Sequence, residues 1–327
     1  MAKKKSSFAI GIDVGGTNIK SLLVDREGKV LASDTRRSFG KESKEKEKVL
    51  SQLFLSIKAL KEEGEKKGVS SHQIAGVGIG APGPLNTEEG IIYQAPNIPS
   101  WKNIPIVKIV EERIKIPCFL ENDANAAALG EWWLGAGRGF DYILLLTLGT
   151  GIGGGIIIKG EVYRGARGCG AEIGHMIIKE GGITCGCGAR GCFEAYASAT
   201  GVVKRAKALV DKGYKTLLSE KEELACEDVF EAAKKKDEIA LFVVEETCRY
   251  LGIGIGNLLN IFNPEIVILS GGMAKEEKIL LPLVKKYTKL FSLKSCFEKV
   301  KIVRAKLKDR AGAFGACATV LKKEGMI

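Results

Sequence analysis

Apolar runs broken by Gly/Thr turns recur at two places in the chain. From Phe8 an apolar run reaches Asp13-Val14, turns through Gly15-Gly16-Thr17-Asn18 and leaves through Ile19 to Asp25, with Gly28 turning again before Val30-Leu31-Ala32. The design repeats where Tyr142 to Leu148 runs into Gly149-Thr150-Gly151 and Ile152 to Ile158 leaves it, with Gly160 at the next turn. Runs rich in β-formers, punctuated by residues that tolerate positive φ, predict strand–turn–strand in both places. A duplication of this kind predicts two similar α/β domains facing each other.

The intervening pattern fits. Residues 44–68 predict a charged amphipathic helix ending near Gly68, and Ile74 to Gly80 a buried strand halted by Ala81-Pro82-Gly83-Pro84. A strand from Cys118 to Leu120 precedes an Ala-rich helix from Asp123 to Trp133. Residues 228–262 read as largely helical, stopped by Asn263-Pro264, before the strand Ile266 to Ser270 enters Gly271-Gly272. A final helix begins near Arg310-Ala311-Gly312-Ala313, whose small residues permit close packing back on the first domain. The expected division is an N-terminal domain of residues 1–122, completed by the helix at about 311–327, and a larger domain of residues 123–310.

Composition narrows the class. With 327 residues, 45% hydrophobic and 27% charged, the chain is long enough for about two globular domains. Nine scattered cysteines do not resemble a disulfide framework and fit a reducing cytoplasm. The apolar run after Met1-Ala2-Lys3-Lys4-Lys5 is too short for a signal peptide. The uncharged stretch 142–158 is short for a membrane span and is interrupted by five glycines and two threonines. The net charge of +11 comes from lysines alternating with glutamates, as on solvated helix faces, without a basic stripe interleaved with aromatics. Nucleic acid and membrane are therefore not expected partners. A Lys-rich surface that draws in an anionic small molecule is.

Three constellations carry chemistry. Gly-rich turns expose backbone N–H donors to phosphate, so each copy of the strand–turn–strand unit is either a phosphate cradle or an ordinary hairpin. In the cradle reading Asp13 holds magnesium through water, Thr17 and Thr150 donate to phosphate oxygens and Lys20 offsets charge. The chain lacks the P-loop pattern, and a strand rather than a helix follows the first glycines, which disfavours a Rossmann site. Second, Glu121-Asn122-Asp123-Ala124-Asn125 opens a helix, where Asp123 serves either as N-cap or as an ionised base for a substrate hydroxyl. Third, His175, Cys185, Cys187 and Cys192 put one imidazole and three thiols within eighteen residues on a Gly-rich stretch, which suits a closed, structural zinc site.

Together, Asp13-Val14-Gly15-Gly16-Thr17, Glu121 to Asn125, Leu148 to Gly155, Glu172-Ile173-Gly174-His175 and the cluster Cys185 to Cys192 resemble the ROK family of sugar kinases and related repressors, from about residue 8 to 320. The resemblance implies a hexokinase/actin-like ATPase fold, two ribonuclease-H-like domains with ATP and sugar in the cleft between them. It implies Asp123 as catalytic base and sugar contacts at Asn122, Glu172, His175 and Glu194, with Asn97 and Gly83 in addition. His175, Cys185, Cys187 and Cys192 match the family's zinc ligands. ATP phosphates with magnesium would lie against Asp13, Gly15, Gly16, Thr17, Asn18, Lys20, Gly149, Thr150 and Gly151, and the segment from Asn263 to Met273, with Gly271 and Gly272, resembles the adenosine-side motif. Only twelve residues precede Asp13, which leaves no room for the repressors' helix-turn-helix. Glu194-Ala195-Tyr196-Ala197-Ser198 and Ala128-Leu129-Gly130-Glu131 look most like the family's glucokinases, acting on the 6-hydroxyl of glucose. A kinase for N-acetylmannosamine or fructose and a non-catalytic sugar sensor are the alternatives, and a homodimer or homotetramer is expected.

Overall fold

A computed structural model describes residues 7–40 and 46–327. The leading Met1 to Lys5 and the start of the helix expected at 44 lie outside the described residues. In chain order, strands β1 (Phe8–Val14), β2 (Asn18–Asp25) and β3 (Val30–Arg37) precede helix α1 (Lys46–Lys66) and β4 (Ile74–Ala81). Short strands β5 (Leu85–Asn86), β6 (Ile91–Gln94) and β7 (Lys102–Ile104) pair antiparallel before α2 (Ile106–Ile114), β8 (Cys118–Asn122) and α3 (Asp123–Leu134). Next come β9 (Tyr142–Leu148), β10 (Ile152–Ile158) and β11 (Glu161–Val162), then α4 (Phe193–Ala197), α5 (Ala199–Asp211), α6 (Cys226–Lys234) and α7 (Glu238–Phe262). The chain closes with β12 (Ile266–Ser270), α8 (Glu277–Phe291), α9 (Lys294–Phe297), β13 (Lys301–Arg304) and α10 (Ala311–Lys323). No helix among the described residues is long and apolar enough to cross a membrane.

Two compact units emerge, the first made of Met1–Gly139, Gly155–Gly170 and Lys306–Ile327, the second of Phe140–Gly154 and Ala171–Ala305. In the first, β3, β2, β1, β4 and β8 form a mixed sheet in that order. Leu53, Ile57 and Leu60 of α1 join Ile10, Ile12 and Ile79 in one core, while Phe314, Cys317 and Val320 of α10 join Ala9 and Leu22 in another. Helix α3 also belongs here, so the expected boundary after residue 122 falls inside this unit. The cause is the small residues of α3 and α10: a Cβ on Gly315 would stand 1.5 Å from the Ala126 carbonyl, so the two helices touch backbone to backbone. Glu131, fully buried in α3, accepts N–H bonds from Ala136 (2.7 Å), Lys306 (3.1 Å) and Leu307 (2.7 Å).

In the second unit β12 runs parallel between β9 and β13, with buried Leu144, Leu146, Val267 and Leu269. Helix α7 packs against α8 and α6. The helix expected over 228–262 is two helices. Lys236 takes a positive φ of 65°, and the Asp237 carboxylate caps α7 by accepting from Ala240 N at 2.9 Å while also holding Leu217 N at 2.8 Å. Those N–H groups give Asp237 bonds that a continuous helix would deny it.

Candidate active site and metal centre

Register in the first unit brings its acidic groups to one end of the sheet. Asp13, next to last in β1, lies opposite Lys20 of β2 and beside Gly80 of β4, and Ala81 is level with Asn122 of β8. Asn122, not Asp123, caps α3: its Oδ1 accepts from Ala124 N at 2.9 Å and Asn125 N at 3.2 Å. Asp123 is the first helical residue, and its Oδ1 accepts from Ala124 N at 2.8 Å. At the positive end of α3 an ionised carboxylate is favoured. Burial, and next the charge of Asp123, push the Asp13 carboxyl up to about 7, with Lys20 pulling the other way.

The rest of this half follows from the turns. Lys20 is paired with Asp309, 3.0 Å from its Oδ2 and 3.3 Å from its carbonyl, so its charge is already engaged. Gly15 N donates to Asn18 O at 2.9 Å, which closes the first turn and leaves Thr17 and Asn18 exposed. A Cβ on Gly16 would fall 2.6 Å from the Asn97 carbonyl, so the turn and Asn97 are in direct contact. Gly83, at φ 94°, turns the chain after β4.

In the second unit the other Gly turn is held from behind by α5. Gly149 N bonds Gly151 O (3.0 Å), Ala199 N donates to Gly149 O (2.9 Å) and Thr200 Oγ1 donates to Thr150 O (2.8 Å). Beside the turn opens a cavity of about 570 Å³ lined by Gly149, Thr150, Thr200, Lys204, Phe230 and Gly272. Its size is in the range of small-molecule sites. Gly271, at φ 91°, and Gly272 form the exit from β12. Thr200, Lys204 and Phe230 escaped sequence reading because they lie on helices whose amphipathic pattern reads as ordinary packing.

His175, Cys185, Cys187 and Cys192 offer ligand atoms that all lie within 4.8 Å of one another. Cys187 and Cys192 sulfurs are 3.6 Å apart, and His175 Nδ1 is 3.9 Å from Cys185 Sγ. Two thiolates on a tetrahedral zinc, each at about 2.3 Å, stand about 3.8 Å apart, so the donor set fits that ion. Burial pushes the Cys185 thiol up to about 12 and raises Cys192, while a backbone hydrogen bond at Ala189 lowers Cys187. Thiols this costly to ionise alone suit a site where a cation stabilises the thiolates. Glu172, exposed, immediately precedes the short 3-10 turn Ile173–His175. Glu194, on α4, accepts from Ile152 N at 3.2 Å through Oε2 and from Cys185 Sγ at 3.2 Å through Oε1. The thiol cluster and the Gly149 turn, separate motifs in sequence, thus share one carboxylate.

Residues 9–323 match the ROK family. A glucokinase of Thermotoga maritima is 36% identical over 324 residues, covering 97% of this chain and 98% of that protein. A putative xylose repressor of Caldicellulosiruptor sp. is 33% identical over 322 residues, 97% of this chain and 79% of the relative. Among solved structures, a ROK family glucokinase from Streptomyces griseus in complex with glucose and AMPPNP aligns with a TM-score of 0.78 at 32% identity, covering 95% and 98% of the two chains.

Proposed function

The chain belongs to the ROK family, and from that premise we propose that it is an ATP-dependent hexose kinase phosphorylating the 6-hydroxyl of glucose. Its fold is that of the hexokinase/actin-like ATPases. The observation that carries the reading is Asp123 at the first position of α3, its Oδ1 accepting from Ala124 N at 2.8 Å beside the Asn122 cap. The glucokinase names of relatives support glucose as the sugar.

In this reading Asp123 accepts the proton of the 6-hydroxyl as its oxygen attacks the γ-phosphorus in line and the bond to the β-phosphate oxygen breaks. Asn122, whose Oδ1 is committed to the helix, turns Nδ2 toward a sugar hydroxyl. Glu172, His175 and Glu194 grip further hydroxyls, with Asn97 and Gly83 completing the sugar site. The backbone of Gly149, Thr150 and Gly151 receives phosphate, and the adjoining cavity with Gly271 and Gly272 takes the nucleoside. Asp13 is the residue to hold magnesium through water. That ion, when bound, neutralises charge on the β- and γ-phosphates. His175, Cys185, Cys187 and Cys192 would hold zinc, which fixes the shape of the loop between Glu172 and Glu194. Lys20 is assigned to Asp309 rather than to phosphate.

The test is kcat/KM with ATP and magnesium for glucose, mannose, fructose, N-acetylglucosamine and N-acetylmannosamine. Glucose is expected to lead. A preference of about tenfold or more for an acetylated hexosamine overturns the choice of sugar, and sugar binding without turnover on any hexose overturns the kinase in favour of a sensor.

A further inference from the structure

Glu121 directly precedes the Asn122-Asp123 pair and is 1% exposed, yet no role in binding or transfer falls to it. Its Oε1 accepts from Asn122 N at 3.0 Å and Asn125 Nδ2 at 3.2 Å. Its Oε2 accepts from Arg164 Nε at 2.9 Å and Nη2 at 2.5 Å. One oxygen therefore grips the strand-to-helix junction that carries Asp123, and the other receives a two-pronged guanidinium. Arg164 follows β11 and roots a loop closed by Gly170 N donating to Arg164 O at 2.8 Å. In sequence that loop runs directly on to Glu172 and His175.

An ion pair buried on its carboxylate side contributes little net stability compared with apolar packing, but two N–H bonds from one planar guanidinium onto Oε2 fix geometry. Geometry is what phosphoryl transfer needs, since a shift of about 1 Å in a reacting group costs about 100-fold in rate. We propose that Glu121 and Arg164 are positioning residues for the transfer step, holding Asn122 and Asp123 in register with the sugar hydroxyl. The proposal rests on the kinase reading above.

Arg164 lines a pocket of about 240 Å³ with Glu161 and Lys322, so removing its side chain opens a route for a small guanidinium. The experiment compares wild type, Arg164→Ala and Arg164→Lys in kcat, in KM for each substrate, and in amide hydrogen exchange at Ala124 and Asn125, with and without methylguanidine. Arg164→Ala should lower kcat about 30-fold or more, leave KM for ATP within about twofold, and speed exchange at both amides. Methylguanidine should restore part of kcat to Arg164→Ala and nothing to wild type. Arg164→Lys, which keeps the charge without the fork, should fold and show the same split in milder form. Either variant with wild-type kcat, or losses of kcat and nucleotide affinity in parallel with no rescue, overturns the proposal. Should Arg164→Ala not fold, Arg164→Lys decides. A wild type without turnover on any hexose overturns the kinase reading and this one with it.

Discussion

The backbone N–H of Ile152 donates to the Glu194 carboxylate at 3.2 Å, fastening the start of β10 to the helix that follows the last cysteine of the cluster. Loosening the cysteine loop therefore reaches the residue that leaves the Gly149 turn. The turn itself has independent support from Ala199 and Thr200.

Cys187→Ser should accordingly remove about one equivalent of zinc and weaken glucose binding sharply, while nucleotide affinity changes much less. Metal analysis with calorimetric titration of each ligand checks this. A purified wild-type protein without zinc, or a metal-free form with unchanged glucose affinity, refutes it.

Asp123→Asn should lower kcat by about 100-fold or more, the scale of a lost general base, with KM for ATP little changed. Its melting temperature should stay within a few degrees. The cap belongs to Asn122, and the new amide oxygen still faces Ala124 N. Steady-state kinetics beside a thermal melt separate the two effects.

Asp13 gives a pH signature. Its folded pKa, about 7, lies above the ordinary 3.8, so the folded protein binds this proton more tightly than the unfolded chain does. The stability it contributes is fully present below the lower value and is lost as pH rises through about 7. Melts of wild type and Asp13→Asn without ligands should thus diverge between about pH 4 and about pH 7, the wild type losing more on alkalinisation. Parallel melting curves would refute the assignment. Magnesium activation should strengthen as pH rises through about 7 and the folded-state carboxylate ionises.

Glu131→Ala should be among the costly substitutions away from the site. It leaves the backbone N–H groups of Ala136, Lys306 and Leu307 without their acceptor, at about 1–3 kcal/mol each. A denaturant midpoint close to wild type would show that water or another acceptor replaces the carboxylate.

What the sequence disclosed was local. The strand–turn–strand units from Phe8 and from Tyr142 were legible because their period and glycines lie side by side, and so was the gathering of His175 with three cysteines. The break between α6 and α7 was not, because Asp237 draws on Thr216 and Leu217 from a distant turn. Lys20 looked available for phosphate because Asp309, its partner, lies at the other end of the chain. Asn122 took the cap from Asp123 because either side chain can serve there, and only backbone angles decide. Lys204 and Phe230 carry no periodic mark that separates a cavity wall from a packed face.

The first unit is assembled from three stretches of chain, and its sheet is covered on one side by α10. During synthesis β1 and β4 emerge long before that helix, so Ala9, Leu22 and the backbone beside Gly11 and Gly78 wait uncovered while the whole second unit is made. The second unit can therefore mature first, and the earlier-born half is the one that depends on the ribosome finishing. A message truncated before Ala311 would leave not a shortened enzyme but an open apolar sheet, a substrate for chaperones and proteases.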